Sequence, residues 1–101
     1  MKYPPFGGMM VAVCEHKDEM LVMEAANRLA DIMRTEPVIV LPPTDAFRAK
    51  EKDLYRKVIY IKSKDEHLLH VCRENVQHEI TKDELLKQMN IQFDMNPVHL
   101  Y

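Results

Sequence analysis

Several residue types are scarce in this chain, and their scarcity excludes whole classes of function. The 101 residues include no tryptophan, two glycines and one serine, so neither a glycine-rich phosphate loop nor a serine-nucleophile motif can be built. No apolar run approaches the roughly 18 residues of a membrane-spanning helix, and the N-terminus MKYPPFGG lacks a signal-type apolar region. We therefore expect a cytoplasmic protein that has no catalytic residues of its own.

Cysteine is equally scarce. Cys14 and Cys72 stand far apart, with no C-x-x-C spacing, so the sequence favours two buried reduced thiols over a disulfide framework or a zinc knuckle. His67 and His70 have a spacing that could reach one metal ion from a helix, but a closed structural site needs four ligands. We expect no metal and no cofactor in this chain.

Composition and length indicate one globular domain. Hydrophobic residues make up 47% of the chain and charged residues 30%, which is typical of a soluble globular domain rather than a disordered or fibrous chain. Pro4 and Pro5 exclude a helix at the N-terminus. We predict a linker or an added start over residues 1–8 and a single α+β domain over residues 9–101.

The first half of the domain predicts a strand, a helix and a second strand. Residues 9–14 read MMVAVC, which suits a buried strand, and Asp18 can cap the helix that follows. VIVL at residues 38–41 reads as a β-branched strand that Pro42 and Pro43 end or bend. The apolar positions of the helix have the spacing of one buried stripe: Val22, Ala25, Ala26, Leu29 and Met33.

The second half predicts the same three elements. A strand covers residues 55–62, Ser63 or Asp65 caps a helix with Leu69, Cys72, Val76 and Ile80 on one stripe, and alternating residues 91–96 form a last strand. Thr81 and Glu84 have the spacing of a capping box that would restart the helix toward Met89. The order β-α-β-β-α-β predicts a ferredoxin-like fold, a four-stranded antiparallel sheet with two helices on one face.

Charge is unevenly distributed along the chain. The net charge is −2, yet the basic segment, Phe47–Lys62, has six basic residues against two acidic ones and carries +4. A local field of this kind can attract phosphate even on an acidic domain. Tyr55 or Arg56 could also stack on an unpaired base, whereas a solvated hairpin remains the alternative interpretation. The long donors on the connection between the two middle strands are Arg48, Lys50, Lys52, Arg56 and Lys57.

Four stretches resemble a known family in the same order along the chain. They are YPPF (residues 3–6), VIVLPPTDA (38–46), KEKDLYRKVIYIK (50–62) and IQFDMNP (91–97). Together they are similar to the C-terminal domain of the primosomal replication-restart helicase, primosomal protein N′ or PriA. The resemblance covers nearly the whole chain and implies a ferredoxin-like domain attached to an ATP-driven helicase core.

The resemblance also implies partners and site residues. The partners would be branched or single-stranded DNA, the helicase core of the same protein, single-stranded DNA-binding protein and other primosome components, without a membrane. ATP, magnesium and zinc would belong to the parent helicase rather than to this chain. Asp94, Asn96 and Pro97 match a closing motif that we interpret as structural. The residues that match the DNA-facing stretch are Lys50, Lys52, Tyr55, Arg56 and Lys62.

Two hypotheses follow. The first is a DNA-binding accessory domain that contacts fork DNA through phosphates, using Arg48, Lys50, Lys52, Tyr55, Arg56, Lys57 and Lys62. The second is a protein-docking module that contacts the helicase core or a primosome partner and has little DNA affinity. In neither is this chain alone an enzyme.

Overall fold

The computed structural model describes residues 7–51 and 53–96, and of residues 47–51 it describes only the backbone. The motif at residues 3–6, Lys52 and Pro97 therefore lie outside the described residues. Within them the elements follow the chain as β1 (Gly8–His16), α1 (Glu19–Met33), β2 (Ile39–Val40), β3 (Thr44–Glu51), β4 (Leu54–Ser63), α2 (Glu66–Ile80), a short 3-10 turn (Leu86–Gln88) and β5 (Asn90–Met95).

The sheet is antiparallel, and β4 and β1 are its central strands. β1 pairs with β5 on one side and with β4 on the other, and both β2 and β3 pair with the far edge of β4. The sheet therefore has five strands among the described residues, and the expected number of four was wrong. Pro42 and Pro43 divide the second strand in two, because proline cannot donate a ladder hydrogen bond.

The two helices cover one face of the sheet. The Asp18 carboxylate accepts hydrogen bonds from the backbone N–H groups of Met20 and Leu21 at 3.0 and 3.2 Å, so the predicted cap of α1 is confirmed. Asp65, rather than Ser63, caps α2 by accepting from the N–H of His67 at 2.9 Å. The predicted stripes are buried against the strands, and their fully enclosed members include Val22, Leu29, Met33, Leu69, Cys72 and Val76.

The capping box predicted after α2 is not formed. The hydroxyl of Thr81 instead donates to the carbonyl of His78, and the side chain of Asp83 accepts from the N–H groups of Leu85 and Leu86, both at 3.0 Å. Only a three-residue 3-10 turn follows. Asp83, rather than Thr81, binds the backbone N–H groups at the start of this turn, because its short carboxylate reaches the N–H groups two and three residues ahead.

The segment expected to be a connecting loop is mostly strand. β3 runs to Glu51, which is paired with Leu54, so the hairpin closes through only two residues. Asp53 has a φ of 65°, a left-handed conformation that aspartate tolerates in tight turns. The pairing of β3 with β4 shifts between Asp45 and Lys50, where β3 carries extra residues as a bulge.

The face of the sheet opposite the helices, here called the helix-free face, has a small core of its own. Val11, Val13, Ala46 and Val58 are buried together on it, and Tyr60 packs partly against them. No helix among the described residues is long and apolar enough to cross a membrane.

Candidate nucleic-acid interface

The alternation of β4 distributes the predicted DNA-binding residues over two faces. Lys57 is paired with Cys14, which lies in the core beneath the helices, whereas Arg56 is paired with Glu15 on the other side of β1. Because successive side chains of a strand point to opposite faces, Tyr55 and Lys57 lie on the helix-covered face. Arg56 and Lys62 lie on the helix-free face, so one DNA surface cannot use all four equally.

Lys57 is held by an acidic partner on the neighbouring strand. Its Nζ lies 2.6 Å from Oδ1 of Asp45, and the two residues are opposite each other in the β3–β4 ladder. The lysine side chain is about one-fifth exposed. A phosphate that approaches Lys57 must therefore compete with a carboxylate that is already in contact.

Arg56 takes part in a chain of polar contacts across three strands. Its Nε lies 3.3 Å from Oε2 of Glu15, and the other carboxylate oxygen of Glu15 accepts from Nδ2 of Asn90 at 2.9 Å. Arg56, Glu15 and Asn90 are register partners on β4, β1 and β5. With Glu15 and Asp45 included, the basic segment and its partners have six basic and four acidic residues, a net charge of +2 rather than +4.

The aromatic side chains also lie on different faces. Tyr55, which matched the family stretch, is partly buried against the core beneath the helices. Tyr60 is partly buried on the helix-free face, opposite Val11 of β1. Motif matching did not select Tyr60, and the period-two alternation of β4 is the signal that assigns it to the same face as Arg56 and Lys62.

The predicted residues also extend along the whole length of β4. Lys50 is paired with Tyr55 near the turn, whereas Lys62 lies at the other end of the strand. Lys62 is eight residue steps from Leu54 along β4, which is about 26 Å at 3.3 Å per step. Arg48 and Lys50 belong to β3, and their side chains, like the whole of Lys52, lie outside the described residues.

A second group of residues surrounds Lys62. Ile39 is paired with Lys62 across β2 and β4, and the N–H of Leu41 donates to the carbonyl of Tyr60 at 2.9 Å. Ile39 is 59% exposed and Leu41 37% exposed, although both are large and apolar. We call Ile39, Leu41, Tyr60 and Lys62 the β2–β4 patch. The sequence suggested only Lys62 from this group, because the exposure of Ile39 and Leu41 depends on β2 being an edge strand.

Two thiols in the described part of the chain have raised pKa values. Burial raises the pKa of Cys14 to about 12, and burial together with the charge of Glu36 raises that of Cys72 to about 11, so both remain thiols at neutral pH. No three His, Cys, Asp or Glu side chains within residues 7–51 and 53–96 are placed to share a metal ion.

Asn96 of the closing motif makes structural contacts at the end of the sheet. Asn96 has a φ of 48°, its backbone N–H donates to the carbonyl of Met9 at 2.6 Å, and its Oδ1 accepts from the N–H of Met9 at 2.9 Å. Its Nδ2 donates to Glu66 at 2.9 Å. Asn96 thus joins β1 to the first turn of α2, away from the turn of the basic hairpin.

Comparisons with known proteins identify a similar fold and a family. The chain has a TM-score of 0.67 and 16% identity to a de novo designed protein, Foldit4, over 92% of this chain and 99% of that one, which is a likeness of fold alone. No curated protein sequence matches it. The family model described as the primosomal protein N C-terminal domain matches residues 1–98. The chain therefore belongs to the family of primosomal protein N C-terminal domains, which act in replication restart.

Proposed function

We propose that this chain is the DNA-binding accessory domain of a replication-restart helicase and that the basic segment, Phe47–Lys62, contacts the phosphates of fork DNA. The observation that carries the proposal is the concentration of six basic residues on one hairpin of a chain whose net charge is −2. Phosphate contacts need no sequence readout and suit a protein that must act at any stalled fork.

The structure supports a division of roles within the basic segment. Lys57 and Arg56 each have a carboxylate in contact, at 2.6 and 3.3 Å, so part of their charge is already compensated within the domain. Arg48 and Lys50 belong to the end of β3 that leads into the turn of the β3–β4 hairpin, and Lys52 follows β3 in the sequence. We propose that these three residues supply most of the attraction to phosphate and that Arg56 adds to it.

We further propose that the domain has the ferredoxin-like arrangement with its second strand split. The neighbours β5, β1 and β4, followed by the pair β2 and β3, support this view, because β2 and β3 together take the place of one edge strand. The turn of the β3–β4 hairpin then lies at one end of the sheet, just beyond the last β1–β4 pair, His16 and Tyr55. DNA can reach a turn at the end of the sheet while the helix layer stays accessible to a protein partner.

The test is DNA binding by the domain as a function of salt. Fluorescence anisotropy with a labelled fork should show an affinity whose logarithm falls with the logarithm of salt concentration. The triple variant Arg48→Ala, Lys50→Ala and Lys52→Ala should weaken binding and make the slope shallower by about 0.9 for each duplex phosphate that the variant no longer neutralises. Unchanged affinity and slope in this variant would overturn the proposed site.

A matched control comes from the helix side of the molecule. Arg34, Lys82 and Lys87 are exposed, and their replacement by alanine removes the same three charges. If only total charge mattered, the two triple variants would bind DNA equally weakly. A focused site predicts that the control variant keeps affinity close to that of the parent chain.

A docking module is the second candidate, and one observation favours it. Met20 is 75% exposed and Met23 is 45% exposed on α1, on the layer opposite the helix-free face. Exposed methionines suit adaptable protein contacts. If docking is the main function, Met20→Glu with Met23→Glu would abolish binding to the helicase core domains, and the isolated domain would give no anisotropy change with forked DNA at low salt.

A further inference from the structure

We propose that the β2–β4 patch, formed by Ile39, Leu41, Tyr60 and Lys62, binds single-stranded DNA, with an unpaired base against Tyr60 and a neighbouring phosphate at Lys62. The inference rests on the proposed DNA-binding function and narrows it. It assigns a second contact region, about 26 Å along β4 from the hairpin turn, and a preference for unpaired strands.

The side chains of the patch lie in two adjacent rows of the helix-free face. One row places Ile39, Lys62 and Met9 side by side on β2, β4 and β1. The next row places Leu41, Tyr60 and Val11 in the same order. A cation and an aromatic ring thus stand two residues apart on the central strand, each beside an exposed aliphatic side chain.

An aromatic ring close to a cation is typical of surfaces that bind single-stranded nucleic acid. A base can stack on an aromatic ring whatever its sequence, while a nearby cation contacts the backbone. Duplex DNA presents no exposed base face, so it would use Lys62 but not Tyr60. Among the side chains that the structure describes, Tyr60 is the aromatic one on the helix-free face, since Tyr55 and Phe93 pack beneath the helices.

Two residues of the patch, Ile39 and Lys62, also line a groove between β2 and the start of α2, around the edge of the sheet from Tyr60. The groove has a volume of about 380 Å³, and Pro37, Val38 and Leu68 give it apolar walls. Lys62 and Lys64 contribute positive charge to it, and Asp65 is the acidic residue in its lining. The carboxylate of Asp65 already accepts the N–H of His67 at 2.9 Å as the cap of α2. The groove therefore has room for a nucleotide and a positive balance of charge.

Charge at the borders of the patch limits the path of the strand. Asp94 of β5 lies in the same row as Tyr60, on the far side of Val11. Glu15 lies beyond Val58 and Val13 toward the hairpin turn, in contact with Arg56. A DNA strand that avoids these carboxylates would cross the β2 side of β4, over the exposed apolar side chains of Ile39 and Leu41.

The experiment compares oligonucleotides with and without bases. Labelled oligothymidine and an abasic oligomer of the same length are titrated with the domain and with Tyr60→Leu and Tyr60→Phe. We expect Tyr60→Leu to weaken oligothymidine binding about 5- to 150-fold, as for loss of one stacked base, and Tyr60→Phe to stay within about twofold. The parent chain should bind the abasic oligomer as weakly as Tyr60→Leu binds oligothymidine.

A second variant keeps the test informative if Tyr60→Leu fails to fold. Ile39→Glu places a carboxylate beside Lys62 at a position that is 59% exposed, so it should weaken oligothymidine binding without changing the melting temperature. Gln77→Glu, which adds the same negative charge at an exposed position on α2, is the matched control and should leave binding unchanged.

The outcomes separate this inference from the proposed function. If no DNA of any kind binds at low salt, the proposed function fails and the inference fails with it. If fork DNA binds through Arg48, Lys50 and Lys52 but neither Tyr60→Leu nor Ile39→Glu weakens oligothymidine binding, only this inference is overturned. Equal affinity of the parent chain for the oligothymidine and abasic oligomers would also overturn it.

Discussion

Arg56 and Glu15 face each other across β4 and β1, with Nε 3.3 Å from Oε2, so the arginine predicted to contact DNA already has an anionic partner. Each of the two side chains is about one-fifth exposed. In a pair this enclosed, removal of one partner leaves a mostly buried charge without compensation, which is destabilising. The intact pair also reduces the positive charge that DNA meets at Arg56.

Glu15→Gln is expected to raise DNA affinity. The amide keeps an oxygen that can accept from Asn90, but it removes the negative charge beside Arg56. One unit charge close to a phosphate is worth about 1 kcal/mol in water, which corresponds to roughly fivefold in affinity. Anisotropy titrations at low salt would measure the change.

The control for this prediction is Glu24→Gln on the exposed side of α1, which changes the net charge equally but lies on the other layer. Its effect should be much smaller. Weaker DNA binding by Glu15→Gln would show that Glu15 orients Arg56 for phosphate rather than competing with it.

The sequence predicted the helices better than β3, the strand that carries the first part of the basic segment. Asp18 and the stripe through Val22 and Leu29 are local signals, because cap and spacing lie within one helix. β3 has no such signal, since its residues TDAFRAKE include one β-branched side chain, and its strand form depends on pairing with β4. A bend at Pro42 was expected, but its effect on the strand count was not.

The candidate site, too, could be predicted from the sequence only where the signal is local. Basic residues can be counted from the sequence, and the alternation of β4 is sufficient to assign Tyr55 and Tyr60 to opposite faces. The contact of Arg56 with Glu15 could not be foreseen, because 41 positions separate the two residues and only the β1–β4 register brings them together. The same is true of Lys57 and Asp45, whose pairing depends on the β3 register.

Asp83 is expected to make the stability of the domain depend on acid pH. The N–H of Leu86 above all, and then the guanidinium of Arg28 and the N–H of Leu85, stabilise its charged form and lower its pKa below the ordinary value of 3.8. A lowered folded pKa contributes stability that is fully present above pH 3.8 and is lost as the pH falls through the folded pKa.

Two variants of Asp83 separate charge from hydrogen bonding. Asp83→Asn keeps an oxygen for Leu85 and Leu86 but removes the ion pair with Arg28, whereas Asp83→Ala removes both. At pH 7 the alanine variant should be destabilised by about 1 kcal/mol, as for removal of a cap, and the asparagine variant by less. In urea unfolding, the difference between parent and Asp83→Asn should shrink below pH 3.8; a constant difference would contradict the charge argument.

Asn96 and Gly8 are expected to be coupled in stability. A Cβ added at Gly8 would lie 2.5 Å from Oδ1 of Asn96, so Gly8→Ala must displace the side chain that holds the N–H of Met9. Asn96→Gly permits the left-handed backbone but removes that hydrogen bond. We expect each single variant to cost about 0.5–1.5 kcal/mol, the net contribution of a typical hydrogen bond, because Asn96 is exposed and water can replace the lost partner.

A double-mutant cycle measured by urea unfolding tests this coupling. In the double variant Gly8→Ala, Asn96→Gly, the new methyl group no longer meets an amide, so the combined cost should be smaller than the sum of the single costs. Costs that add within about 0.5 kcal/mol would show that the two residues act independently.

Cys14 and Cys72 are expected to be unreactive in the folded domain. Only the thiolate attacks a disulfide reagent, and burial holds the pKa values of the two thiols at about 12 and about 11. Treatment with Ellman's reagent at pH 8 should therefore detect no thiol in a fast phase, and both thiols after unfolding in guanidinium. Fast reaction of one thiol in the native domain would contradict the burial of that residue, and Cys14→Ala and Cys72→Ala would identify which one reacts.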